Sequence, residues 1–175
     1  MIMKVTSHDL LGHQKISSQS MEVNIEGEKI SPHVLELSFG VDRNFYLLLD
    51  LFYVEEKERS VLKFPFLVSP FDAGVFPLVN KDGLEEKAKE VQKILEDNGF
   101  IVFYDDGGSI GRRYRRIDEI GVAAGITIDY DSLKQGDVTL RDRDSMEQIR
   151  VKIKDLPQAL RKFLSGEKLE NLKVK

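Results

Sequence analysis

Residues 109–121 read SIGRRYRRIDEIG, which places Arg112, Arg113, Arg115 and Arg116 within five positions of a chain whose formal net charge is −4. Guanidinium forks bind phosphate and carboxylate oxygens bidentately, so the chemistry open to such a cluster is recognition of an anion, a nucleic acid foremost. At 100° per residue, Ile110, Tyr114, Ile117, Ile120 and Gly121 share one side of a helix, and Arg112, Arg115 and Arg116 lie on the other. Arg113 falls at the boundary. Arg112 and Arg116 form a like-charged i, i+4 pair, and the cluster stands at the helix N-terminus, where the macrodipole disfavours cations. A helix shaped only for stability would reverse this order. Two readings stay open: a solvated face salt-bridged to Asp105, Asp106, Asp118 and Glu119, or an anion-binding face. The side chain of Tyr114 fits the core better than a stacking role.

A second charged knot is RDRDSMEQIR, in which Arg141 and Arg143 alternate with Asp142 and Asp144. At strand period both arginines share one face. They read either as cross-strand ion pairs at a sheet end or as an extension of the polar surface. The loop DDGGS (105–109) precedes the arginine helix but carries neither GxGxxG nor GxxxxGK[ST], so it is a turn and not a phosphate loop.

These groups need a scaffold. The 175 residues suffice for one ordinary domain and a small appendage. The chain has no cysteine, which excludes disulfides, thiolate metal sites and cysteine nucleophiles and fits a cytoplasmic setting. His8, His13 and His33 lack metal-ligand spacing. No apolar run reaches the ~20 residues of a membrane span.

Residues 1–62 open with a polar, Ser-rich stretch. Two strands around Glu26-Gly27 and a helix over 42–53, with Phe45, Leu48, Leu49 and Phe52 on one side, are expected next. EEKERS (55–60) reads as a connector. From residue 63 the pattern alternates. Strand 74–79 is followed by a helix with a capping box at Asp82 and Glu85 and apolar residues Leu84, Ala88, Val91 and Leu95. Strand 100–104, the arginine helix capped by Ser109, strands in AGITIDY, VTLRD and IRVKI, a helix from Asp155 to Leu164 and a frayed tail complete it. The expected class is α/β: a mixed five-stranded sheet with three helices, preceded by a small antiparallel β plus helix region.

The phrases PHVLELSFGVDR, FPLVNKDG, YDDGGSIGRRYRRIDEIG, TIDYD and GDVTLRDRDSMEQIRV resemble the C-terminal part of glycyl-tRNA synthetase of the archaeal and eukaryotic type. The resemblance implies a division into 1–62, a remnant of the class II catalytic domain, and 63–175, an anticodon-binding domain. It implies tRNA(Gly) as partner, and ATP and Mg as the parent enzyme's cofactors, with none expected for this chain alone. The third class II motif, a strand then a helix, corresponds to FGVDR. Arg43 inherits contact with the ATP phosphates, Ser38 the glycine substrate, and Glu36 an active-site position. Arg112, Arg113, Arg115 and Arg116, with Arg141 and Arg143, are the expected RNA-binding set. The first two class II motifs have no counterpart, so the chain alone is expected not to catalyse aminoacylation. A fragment, a split-gene half or a free-standing descendant fits that expectation, with a separate catalytic half or a second copy as a further partner.

Overall fold

A computed structural model describes residues 37–172 and, before them, the backbone of four short strands. The chain divides into two compact units, Met1–Tyr46 and Leu47–Lys175. In the first, β1 (Ile2–Val5) pairs antiparallel with β2 (Ile16–Gln19), and β3 (Val23–Ile25) with β4 (Glu28–Ile30). β3 and β4 lie on either side of the expected Glu26-Gly27 turn, whose two residues fall outside the described residues. The β1–β2 pair was not legible, because ISSQ carries little apolar signal. The apolar run at Val34-Leu35, the three histidines and Glu36 lie outside the described residues.

Helix α1 (Val41–Phe52) starts within one residue of the expected position. Residues 37–40 carry no regular secondary structure, so the strand half of the expected motif is not formed by them. The "connector" 55–60 is part of a hairpin instead: β5 (Tyr53–Glu55) pairs with β6 (Ser60–Leu62). Residues 47–62 therefore pack with the second unit, although their texture placed them with the first.

The second unit is built on five strands: β7 (Ala73–Pro77), β8 (Val102–Tyr104), β9 (Ala124–Ile128), β10 (Asp137–Asp142) and β11 (Gln148–Lys152). Their order is β11-β10-β9-β7-β8, with β7 parallel to β8 and β9, and β10 antiparallel to both its neighbours. The expected mixed sheet is thus present. Parallel neighbours require crossovers, which α2 (Leu84–Asp97) and α3 (Ile110–Glu119) supply.

The period-2 alternation divides the sheet's side chains between two faces. Ala73, Val75, Ile126, Val138, Leu140 and Val151 face one way and form a core with α2 and α5 (Leu156–Leu164). Leu84, Ala88, Val91 and Leu95 of α2 are all fully buried there, as their spacing predicts, and each large one contributes about 1.5–3 kcal/mol. The opposite face carries Phe76 and receives Ile117 and Tyr114 from α3. Gly74 and Gly125 lie side by side on that face. A Cβ on Gly125 would stand 2.6 Å from a ring carbon of Tyr114, and one on Gly74 3.0 Å from Ile117. The missing side chains are what let α3 lie down on the sheet.

Three local expectations are corrected. Asp82 adopts φ 59° and Gly83 is the cap of α2 at φ 83°, so Asp82 forms no capping box and accepts the Tyr130 hydroxyl at 2.7 Å instead. A reciprocal box does occur at Asp129 and Ser132, heading a short helix α4 (Tyr130–Gln135) that the sequence reading merged into strand and turn. The tail is anchored by a 3₁₀ turn, Leu169–Leu172, whose two leucines are buried.

Candidate nucleic-acid interface

Packing of Ile117 and Tyr114 on the Gly74–Gly125 floor fixes the rotation of α3 and turns its arginine side outward. Ser109 occupies the cap position, but it caps with its backbone carbonyl alone, accepting from the Arg112 and Arg113 amides. Arg112 is exposed and has no side-chain hydrogen bond or ion pair among the described residues. Arg115 keeps 41% of its side-chain surface, and its ion-pair partner is Glu58 at 4.0 Å, itself largely solvated. Such a pair is worth little. Arg116 is partly committed: it is paired with Asp105 and donates to the Gly107 carbonyl at 2.7 Å. The face open to an anion is therefore Arg112 and Arg115, with Arg116 beside them.

The structure corrects the exposure expected of the other three arginines. Arg113 retains 2% of its surface. Its guanidinium donates to the carbonyls of Pro77, Asp106 (2.7 Å) and Gly108 (2.8 Å), and Asn80 donates to the same Asp106 carbonyl at 2.8 Å. Arg113 is a strut joining the 105–109 loop to the end of β7. Its boundary place on the wheel put its stem over the sheet edge, where carbonyls at the ends of parallel strands await donors.

Arg141 and Arg143 are buried too. Asp118, 1% exposed, accepts from Arg141 at 3.1 and 3.3 Å and from Arg59 of the β5–β6 turn at 2.7 Å. The Arg141 guanidinium lies 4.6 Å from the centroid of the Tyr114 ring, and the Tyr114 hydroxyl is 2.5 Å from the hydroxyl of Thr127. Burial pushes the Tyr114 phenol up, so the ring serves the core. Arg143 donates to the carbonyls of Leu62, Phe64 and Gly121 and pairs with Asp144. Together these groups tie β6, α3 and β10 into one body. Arg59 and Asp118 were missed as network residues because a charged run in sequence does not show which of its members turns inward.

Of the expected catalytic residues, Glu36 lies outside the described residues, while Ser38 and Arg43 are exposed at the start of α1. Among the described residues no three His, Cys, Asp or Glu side chains converge on one point. No helix among them is long and apolar enough to cross a membrane.

The sheet order, the α3 crossover and the covering helices form a fold that recurs in a solved tRNA synthetase: the chain aligns with a crystal structure of prolyl-tRNA synthetase from Cryptosporidium parvum at TM-score 0.56 and 24% identity, covering 59% of this chain and 22% of that one. Residues 72–163 match the family described as Anticodon binding domain, and the chain belongs to that family. Among curated relatives it is 49% identical over 154 residues to glycine–tRNA ligase of Aeropyrum pernix, covering 87% of this chain and 26% of that one. It is 48% identical over 149 residues to the same ligase of Thermococcus gammatolerans, covering 85% and 26%, and 45% identical over 141 residues to that of Methanococcus maripaludis, covering 81% and 25%. The chain thus spans about a quarter of the length of these relatives and corresponds to their C-terminal region.

Proposed function

We propose that this chain is the tRNA-docking part of a glycine–tRNA ligase, and that it holds the anticodon stem and loop of tRNA(Gly) in support of ATP- and Mg-dependent aminoacylation in the cytoplasm. The observation that carries this reading is the outward guanidinium pair Arg112 and Arg115 on a helix of an anticodon-binding fold. Both side chains reach outward from α3, and the one ion pair they make among the described residues, Arg115 with the solvated Glu58 at 4.0 Å, is worth little, so phosphates or unstacked bases can meet them at small cost. Arg116 joins them by exchanging Asp105 for RNA. Arg113, Arg141 and Arg143 act one step behind, holding α3 and its preceding loop in place.

In this reading Arg43, with Ser38 and Glu36, faces ATP and glycine in the complete enzyme, and residues 1–46 belong to the end of its catalytic domain, while 47–62 pack with the anticodon-binding unit. The carrier of aminoacylation is then a longer chain, a separate catalytic half or a second copy acting with this one. The exposed apolar side chains of α1, Val41, Phe45 and Leu51 among them, support such a partner, because apolar surface of this kind is usually covered.

The test is filter binding of a tRNA(Gly) transcript at a series of salt concentrations. For single-stranded contacts log Kobs falls with log salt by about 0.7 per phosphate, so Arg112→Ala/Arg115→Ala should flatten the slope by about 1.4 and weaken binding. An unchanged slope with unchanged affinity would reject the face.

A further inference from the structure

Gly111 stands in the first turn of α3, and nothing among the described residues requires a glycine there. Its φ is not positive, so its backbone accepts an L side chain. A Cβ built on it would meet no atom within 4 Å, whereas every other described glycine of ordinary φ has a neighbour inside that distance. A glycine in a helix costs stability relative to alanine. Folding alone would therefore favour a side chain at this position.

Gly111 and Asp118 lie two turns apart on one flank of α3, with Arg115 between them. That flank looks toward β10. Farther along the helix it is filled: Asp118 accepts from Arg141 of β10, and Arg115 meets Glu58 of the β5–β6 turn. At Gly111 it is bare. The strip of sheet alongside can be traced through contacts. The Tyr114 hydroxyl reaches Thr127 of β9, Thr127 stands in register with Thr139 of β10, and Thr139 with Arg150 of β11. Thr139 is half-buried and Arg150 exposed, so this strip of the face that carries α3 is open to solvent. Arg150 donates to the Thr139 hydroxyl at 3.0 Å and pairs with Asp129, which holds its guanidinium across the strands.

We propose that one nucleotide of the docked RNA enters this recess, against the bare first turn of α3 and beside Thr139 and Arg150, with its phosphate on Arg112 or Arg115. The inference rests on the tRNA-docking reading and names the point of closest approach. Leaving out a side chain lets a ligand reach the helix backbone, and here no protein group takes the vacated space. The surroundings select RNA over a protein segment. Arg112 follows Gly111 directly and is unpaired among the described residues, Arg115 is only weakly paired, and the strip beside them presents hydroxyl and guanidinium groups instead of an apolar surface.

The experiment uses the full chain, with the anticodon stem-loop of tRNA(Gly) as probe, and measures filter binding against salt together with urea unfolding. Gly111→Ala should bind about threefold more weakly and Gly111→Leu about tenfold or more, while both keep a urea midpoint at or above that of wild type. Their salt slope should match wild type, because no charge is removed. Opposite signs for stability and binding are what a contact with RNA predicts and a packing role does not. Wild-type affinity in both variants, or a urea midpoint that falls with Gly111→Ala, would overturn the inference. Arg112→Ala/Arg115→Ala, run alongside, separates the two failures. If it flattens the slope while the Gly111 variants bind as wild type does, the docking face stands and the recess falls. If it too binds as wild type does, both fall.

Discussion

Replacing Asp118 with asparagine keeps the side-chain shape and removes one negative charge from between two buried arginines. Asp118 accepts three hydrogen bonds, from Arg59 at 2.7 Å and from Arg141 at 3.1 and 3.3 Å, with 1% of its surface in water. Removing one partner of a buried ion pair costs about 3–5 kcal/mol, because the remaining charge keeps its desolvation penalty. The low end applies here. Arg59 retains Glu56 and the Arg143 carbonyl, and Arg141 retains the Tyr114 ring. The expected loss is therefore about 3 kcal/mol. With a urea m-value of about 2 kcal/mol/M, the unfolding midpoint should fall by about 1.5 M at unchanged slope, read by circular dichroism. Arg59→Met/Asp118→Leu/Arg141→Met, which removes all three charges, should lose less than Asp118→Asn alone, since no orphan charge remains and the unpaired buried Nη2 of Arg59 goes with them. A loss under about 1 kcal/mol for Asp118→Asn would refute the view that this triad ties β6, α3 and β10 together.

Gly125→Ala should destabilise by about 1–3 kcal/mol in the same urea assay, because its Cβ would meet the Tyr114 ring at 2.6 Å and Ile117 at 3.2 Å. Hydrogen bonds from Arg59 and then Lys63 hold the Glu56 carboxyl down from 4.5 to about 2. Its folded-state value is depressed, so its contribution is present above pH 4.5 and is lost as pH falls toward 2; the difference in urea midpoint between wild type and Glu56→Gln should be level above pH 4.5 and close below it. Burial, reinforced by Asp106, raises the Tyr104 phenol to about 12, so in a phenolate absorbance titration Tyr104→Phe should remove one tyrosine's amplitude from the late-ionising part of the curve and leave the early part unchanged.

The parallel part of the sheet was legible because β7, β8 and β9 are short apolar runs separated by helices of 3.6-residue period, and β7, β9 and α2 bury the residues that this pattern selects. The hairpin 53–62 was not legible, because its turn is charged throughout and its inward residue, Arg59, reads as surface until Asp118 is in place. Helix α4 was hidden for a different reason: its six residues are too few to show a period, and only the reciprocal Asp129–Ser132 cap marks it. At the candidate interface the wheel separated Arg112 and Arg115 from the apolar side, and the structure leaves both exposed or half-exposed. Neither the wheel nor the strand period could show that neighbouring carbonyls would capture Arg113 and Arg143, since acceptors at strand ends and in loops leave no trace in residue type.

The most direct test of the account compares two RNA pieces on one protein: the anticodon stem-loop of tRNA(Gly) and its acceptor-stem minihelix. Wild type should hold the stem-loop more tightly, and Arg112→Ala/Arg115→Ala should lose about tenfold or more on the stem-loop while its urea midpoint stays in place. Equal affinity for the two pieces, or a double variant that grips the stem-loop as well as wild type does, would contradict it.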